Sequence, residues 1–345
     1  MKIKELISIA VCTYNGGSHL SEQLDSLVRQ DYPNVELIIV DDHSTDQTWS
    51  LLQKYEQQYP FVKIYQNERN LGYIKNFERA ISLCNGTYIC LSDQDDRWKT
   101  NKLTCLHDLM TEQEVLIYHD SEYITEEGLP MQTTLSKQMG YTEGKAYHSV
   151  LLNNCIAGHA TLFRRSLTKD ILPMPLSIPH DHWIAYVALK TGGVKFNSEC
   201  LVYYRQHLQS VTYTLHQKKE NEVTDLSKEK LKTRTAENLA RIKHLNTIKR
   251  FKGNTIEDIR FIEKLAQYLQ KRDEGYFSIG LFLFMLQHRK KLFIRLHKSF
   301  FSNVVTIFKE SQGNNFNSLF YISRKSTSSK LNFVFKHLWG KKKGK

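Results

Sequence analysis

Three carboxylates stand within four residues at Asp93-Gln94-Asp95-Asp96, directly after an apolar run at 87–91. Like charges this close repel one another and cost stability without a compensating cation. Hard oxygen ligands of this kind suit Mg²⁺ or Mn²⁺, which bind through one or two carboxylates and leave positions open for phosphate oxygens. A solvated acidic turn is the plain alternative, and the spacing does not say which two of the three acids would touch an ion. A second acidic pair, Asp41-Asp42, closes the run at 35–40. By itself such a pair reads as a helix-capping turn. His119 and Asp120 close a run at 115–118 and are suited to sugar hydroxyls. His180-Asp181-His182-Trp183 offers a His-x-His pair. No third transition-metal ligand stands near it, so one exposed and one packing histidine is the preferred reading.

These clusters need a frame. Apolar runs at 7–12, 35–40, 62–65, 87–91 and 115–118 alternate with helical stretches. Leu20, Leu24, Leu27 and Val28 share one helix face, and further helices are expected at 48–58 and 74–83. Strands that are apolar throughout, separated by helices, predict an α/β fold with a mostly parallel sheet covered on both faces. Ligands bind such sheets at the carboxyl ends of the strands, which is where Thr13-Tyr14-Asn15, Asp41-Asp42 and the Asp93 cluster fall. Residues 121–150 read as loop-rich, 153–163 and 181–190 mix strand and helix signals, and 202–204 read as a late edge strand. Helical patterns rich in Lys, Glu, Leu and Ile run from about Lys218 to Gln270. The expected division is therefore an α/β domain at 1–215 and a helical, basic region at 216–345.

The net charge of +12 is not spread evenly. From Leu281 to the end, 14 Lys and Arg face the single acid Glu310, a net +13, so the first 280 residues carry −1. A neutral site-bearing half argues against nucleic acid as the partner, and the basic end predicts contact with an anionic surface. Residues 276–287 (YFSIGLFLFMLQ) are too short to span a bilayer. With the basic and aromatic residues that follow, they have the composition of a helix lying in the membrane interface; a core helix hairpin with a solvated basic face is the alternative. Six cysteines without a C-x-x-C pair fit a reduced, cytoplasmic compartment. The short apolar stretch after Met1 reads as a first strand and not as a leader.

Four blocks in order, SIAVCTYN, LIIVDDHSTDQT, NLGYIKNFERAI and YICLSDQDDRW, resemble the nucleotide-binding half of family-2 glycosyltransferases. NNCIAGHATLFRR, PHDHWIAYVA and YYRQH resemble the rhamnosyltransferase-like subgroup, and together the blocks reach from about residue 6 to 210. The resemblance implies a Rossmann-like fold of the type called GT-A. By it, Thr13, Tyr14 and Asn15 belong to the loop at the base and ribose, and Asp41 and Asp42 hold the nucleoside. Gly72 and Asn76 match a block near the nucleotide, with Lys75 and Arg69 as candidate diphosphate contacts. Asp93 and Asp95 match the D-x-D that joins a Mg²⁺ or Mn²⁺ ion to the diphosphate, and Asp96 extends it. Asp181 matches the catalytic base, which takes the acceptor's proton as it attacks the anomeric carbon. His207 matches the position that closes the site, as a metal ligand, a phosphate donor or a structural residue, with Arg205 beside it. Gly158 matches a glycine that lets the chain pass close to the donor sugar; His159, His119, Asp120 and Trp183 are the remaining candidates for the sugar pocket.

The resemblance thus implies an inverting transferase acting on a nucleoside-diphosphate sugar, dTDP or UDP. L-rhamnose is the expected sugar and a lipid-linked bacterial polysaccharide precursor the expected acceptor, at the inner face of the cell membrane. A UDP-hexose enzyme of the same fold is the nearest rival. A metal-dependent nucleotidyltransferase would carry a basic glycine-rich loop, yet Thr13-Tyr14-Asn15-Gly16-Gly17 holds no Lys or Arg. A carbohydrate-binding scaffold would need neither the acid cluster nor a separate Asp181.

Overall fold

The computed structural model describes residues 4–206, 226–294 and 299–314. Strands β1 (Ile7–Thr13), β2 (Val35–Asp41), β3 (Val62–Gln66) and β4 (Tyr88–Ser92) run parallel, with β1 between β2 and β4. Helices α1 (Leu20–Val28), α2 (Thr48–Gln58) and α3 (Tyr73–Leu83) make the crossovers. Alternate residues of β1 and β2 enter opposite cores. Ala10, Ile38 and Val40 pack with Ile74 and Phe77 of α3, while Ile9, Val11, Leu37 and Ile39 pack with Leu20 and Leu24 of α1. Two buried faces leave no polar alternation, so these strands read as unbroken apolar runs. Register places Thr13 opposite Asp41 and Val11 opposite Ser92, bringing the polar strand ends to one edge.

The second half is mixed. It contains β5 (Arg97–Trp98), α4 (Lys102–Leu109), β6 (Glu114–Ile124), β7 (Pro130–Thr134) and α5 (Leu135–Met139). β8 (Thr161–Arg164), α6 (Thr168–Ile171), α7 (His180–Thr191) and β9 (Gly193–Arg205) follow. The nine described strands form one sheet in the order β3-β2-β1-β4-β8-β6-β9-β5, with β7 beside β6. β8 is antiparallel to both neighbours, and β9 is parallel to β6 and antiparallel to β5. Two expectations change. Residues 202–204 belong to a 13-residue strand paired on both sides, not to an edge. The strand expected to stop before His119 continues to Ile124, with its register shifting at His119 and Asp120.

Five described helices lie beyond residue 225: α8 (Leu226–Ile248), α9 (Ile256–Arg272), α10 (Ile279–Gln287), α11 (Arg289–Leu292) and α12 (Phe300–Ser311). The division expected at residue 215 lies outside the described residues. Leu245, Ile262, Leu281, Phe284 and Met285 share one buried cluster with Trp183 and Tyr186 of α7. Leu281, Phe284 and Met285 of the apolar run at 276–287 are therefore spent on the core. No described helix is long and apolar enough to cross a membrane.

Candidate active site

The loop after β1 is held from two sides. Gln94 accepts from the Tyr14 N–H at 2.8 Å and donates its amide to the Tyr14 carbonyl at 3.1 Å, clamping the first loop to the acid cluster. Asn15 takes a φ of 48°, a conformation Asn tolerates, and accepts from the Thr45 N–H at 2.9 Å. Thr13 is buried and donates to Asp41 Oδ1 at 2.9 Å, while Tyr14 is left exposed.

The acidic pair after β2 builds loops. Asp41 is fully buried and accepts from Thr13 and Ser44 on one oxygen, and from the Ser44 N–H and Gln66 on the other. Asp42 accepts from Asn67 and from the Leu71 and Gly72 N–H groups, pinning the turn that starts α3. Each acid thus shapes the backbone of the loops at these strand ends. Gly72 has φ 82°, which explains a glycine at that turn. Asn76 is buried, donating to the Val40 carbonyl and accepting from Asn67. Lys75 pairs with Glu78 at 2.7 Å, and Arg69 is exposed.

At the end of β4 the acids meet a histidine from another segment. Asp93 Oδ2 lies 3.8 Å and Asp96 Oδ2 3.9 Å from His159 Nδ1, and one ligand atom from each residue falls within a 4.8 Å set. Asp96 is wholly buried; its Oδ1 accepts from the Arg205 N–H, and its Oδ2 has no hydrogen-bond partner. Burial, then the charges of Asp95 and Asp93, push the Asp96 carboxyl well above the usual range. Burial, then Asp95 and Asp181, push Asp93 up to about 7. Burial, with the Lys102 charge, depresses the His159 imidazole to about 3, so it is neutral. His159 Nε2 lies 2.9 Å from Ser121 Oγ; in the tautomer that donates Nε2–H to that hydroxyl, the Nδ1 lone pair is presented to the two acids. A buried orphan oxygen, a second carboxylate and a neutral imidazole fit a divalent cation. The Asp95 side chain is not part of this set, although its carbonyl accepts from Arg205 Nε at 2.9 Å.

Asp181 stands in the first turn of α7, across from this cluster. Its charge is felt by Asp93, and burial raises its carboxyl to about 6 even though the His182 N–H and Asn154 stabilise the ionised form. Gly158 joins the two sides. A Cβ there would lie 2.9 Å from His180 Nε2 and 3.6 Å from Asp181 Cβ. The tight contact with α7 thus accounts for a glycine at this position.

Several candidates move. Trp183, expected in the sugar pocket, is a core residue: its indole N–H donates to the Ile171 carbonyl and its ring meets Phe251 edge-on. Arg205, expected at the diphosphate, is buried and donates to the Asp95 and Glu126 carbonyls and to Glu22, so it ties the acid loop to β9 and α1. Asp120 accepts from the N–H groups of Ser121 and Ser136 and the Ser136 hydroxyl, anchoring α5. His119 is fully buried beside it, bonded through Nδ1 to the Asp120 carbonyl. Of the two flanking histidines, His180 stacks on Phe77 and His182 bonds the Val150 carbonyl, so both pack and neither is exposed. His207 lies outside the described residues. Lys102 was not anticipated. It is fully buried, donates to the His159 carbonyl at 2.7 Å, and is pulled down to about 8 by burial. Nothing in its stretch of Trp, Lys, Thr and Asn signals an interior lysine.

Residues 8–172 match the model for Glycosyl transferase family 2. Over 215 residues the chain is 28% identical to an Escherichia coli protein, the UDP-Glc:alpha-D-GlcNAc-diphosphoundecaprenol beta-1,3-glucosyltransferase WfaP, covering 60% of this chain and 80% of that one. The putative teichuronic acid biosynthesis glycosyltransferase TuaG of Bacillus subtilis is 28% identical over 204 residues, 59% of this chain and 79% of that one. Among solved structures, S. aureus TarS 1-349 in complex with UDP-GlcNAc superposes with a TM-score of 0.51 at 17% identity, over 89% of this chain and 91% of that one. At that identity the likeness establishes the fold, which is GT-A. The chain spans 66% of one bacterial relative it matches and 53% of a longer TarS chain.

Proposed function

We propose, on the premise that residues 8–172 form a glycosyl transferase family 2 domain, that the chain transfers a sugar with inversion from a nucleoside diphosphate to a saccharide hydroxyl. The observation that carries this is the facing pair of sites at the strand ends. Asp93, Asp96 and His159 can hold a cation, and Asp181 stands opposite with its carboxyl raised to about 6. The acceptor oxygen attacks the anomeric carbon while its proton passes to Asp181. The bond from that carbon to the diphosphate oxygen breaks, and the nucleoside diphosphate leaves with the electron pair. Asp93, Asp96 and His159 would hold Mg²⁺ or Mn²⁺, which when bound offsets the charge on the leaving diphosphate. Thr13, Tyr14 and Asn15 line the nucleoside end, while Asp41, Asp42, Gly72 and Asn76 fix the loops around it. Arg205 and Lys102 position the acid loop and His159.

Two donors remain in view. L-rhamnose on dTDP follows from the resemblance of segments 153–165 and 179–188, whereas the UDP sugars in the names of WfaP and the TarS complex favour a UDP-hexose. A lipid-linked saccharide acceptor and attachment to the inner membrane face complete the reading. A panel of dTDP-, UDP- and GDP-sugars, assayed for cation-dependent hydrolysis and for transfer, tests it. One nucleotide should be consumed with Mg²⁺ or Mn²⁺ and spared in chelator. Full turnover in chelator sinks the metal part, and no turnover of any donor sinks the whole.

A further inference from the structure

The last described helix is apolar on the wrong side. In α12, Ile307 and Ser311 face the core, while Phe301, Val305 and Phe308, spaced i, i+4 and i+7, form a stripe turned to solvent. Phe301 is 79% exposed. The stripe continues toward α10: Phe277, just before that helix, touches both Phe308 (5.2 Å between ring centroids) and Phe282 of α10 (5.8 Å), and Leu283, next in the chain, is 57% exposed. Isolated exposed apolar residues are ordinary, but a connected face of this kind marks an interaction surface.

Basic residues accompany it: Arg289 lies over the Phe300 ring at 5.1 Å, Lys309 follows Phe308 in α12, and Lys290 and Lys291 of α11 are exposed. After Glu310 the chain adds eight further Lys and Arg and no acid. We propose that this outer face of α12 and α10 docks on an anionic membrane, with Phe301, Val305, Phe308 and Leu283 entering the headgroup boundary and the lysines pairing with lipid phosphates. It deepens the reading of a lipid-linked acceptor but does not depend on the transferase chemistry. It also reassigns the contact expected of residues 276–287 as a whole: Leu281, Phe284 and Met285 are committed to the core. Uncompensated positive charge beside an apolar stripe favours lipid over a second copy of the chain, whose own basic residues would repel it.

The test uses the full chain and flotation with vesicles of phosphatidylglycerol and phosphatidylcholine, or of phosphatidylcholine alone. Binding should require the anionic lipid and weaken as salt rises. The triple variant Phe301→Ser, Val305→Ser, Phe308→Ser should lose about tenfold or more in vesicle binding while keeping its melting temperature and donor hydrolysis. Lys290→Gln with Lys291→Gln and Lys309→Gln should flatten the salt dependence. Unchanged vesicle binding by the triple variant overturns the proposal. So does a parent that is dimeric in lipid-free solution and becomes monomeric with the triple change, which would make the face a self-association surface. Because vesicle binding is read without turnover, an inactive enzyme that still binds lipid through this face would count against the transferase reading alone.

Discussion

At the scale of single residues, the arrangement assigns different work to Asp181 and Asp96. Asp181 must be ionised to accept a proton, and its carboxyl is raised to about 6. Transfer should therefore fall as pH drops through about 6, while Asp181→Asn should keep donor binding and lose roughly 10²–10⁴-fold in turnover. Isothermal titration with the nucleotide, beside initial rates, separates the two; loss of nucleotide binding would remove Asp181 from this role. Asp96 has a buried oxygen that no protein group satisfies, which is the condition a cation relieves. Asp96→Asn should abolish measurable Mn²⁺ binding. Ser121→Ala should weaken it by roughly 10–100-fold, the usual worth of a group that orients a ligand. Equal Mn²⁺ affinity in all three proteins would dissolve the site. The Asp-Gln-Asp-Asp cluster was visible in the chain because it interrupts an apolar run. His159 was visible only as a sugar-pocket candidate, since meeting Asp93 and Asp96 depends on β8 lying beside β4.

At the scale of elements, position is set by tight contacts. Gly158→Ala would place a methyl carbon 2.9 Å from His180 Nε2 and push the segment carrying His159 away from α7. The variant should turn over more slowly with its fold intact, and shortening the ring with His180→Ala in the same chain should recover part of the rate. No recovery would mean that the glycine serves something other than this contact. Asp258, at the start of α9, accepts from Lys190, Tyr147 and Thr255 and completes a capping box. Burial would raise its carboxyl, but these donors outweigh burial and hold it well below the usual range. Its contribution is therefore present above the unfolded carboxylate value of about 3.9 and is lost as pH falls through the lower folded one. Asp258→Ala should cost about 3 kcal/mol in denaturant unfolding. A change below about 0.5 kcal/mol, the range of an ordinary surface substitution, would show that the pairing is idle. Strands β1 to β4 were plain in the sequence because both their faces are buried. Helix α7 was not: from His182 to Leu189 it is buried all round, so no polar face marks the helical period. The same burial turns Trp183 from a pocket candidate into a core residue.

At the scale of the molecule, the charge boundary in the sequence and the packing boundary in the structure do not coincide. The excess positive charge begins near Leu281, which suggests a separable basic end. Yet Leu281, Phe284, Met285, Leu292, Phe293 and Ile307 are buried in the same cluster as Trp183, Tyr186 and Ile184 of α7, the helix that carries Asp181. Each such side chain contributes about 1.5–3 kcal/mol when buried, so the six together contribute on the order of 10 kcal/mol. That is comparable to the whole stability of a typical domain, about 5–15 kcal/mol. A chain ending near residue 270 should therefore be insoluble or aggregate on release, with no donor hydrolysis to measure. The surface variants described above leave this core untouched and should remain soluble and active on donor. Soluble yield, the thermal transition and hydrolysis, compared for the shortened chain and the Phe301, Val305, Phe308 variant, decide the matter. A soluble shortened chain with the parent's melting temperature would make the basic end a true appendage, with α7 able to hold Asp181 in place without it.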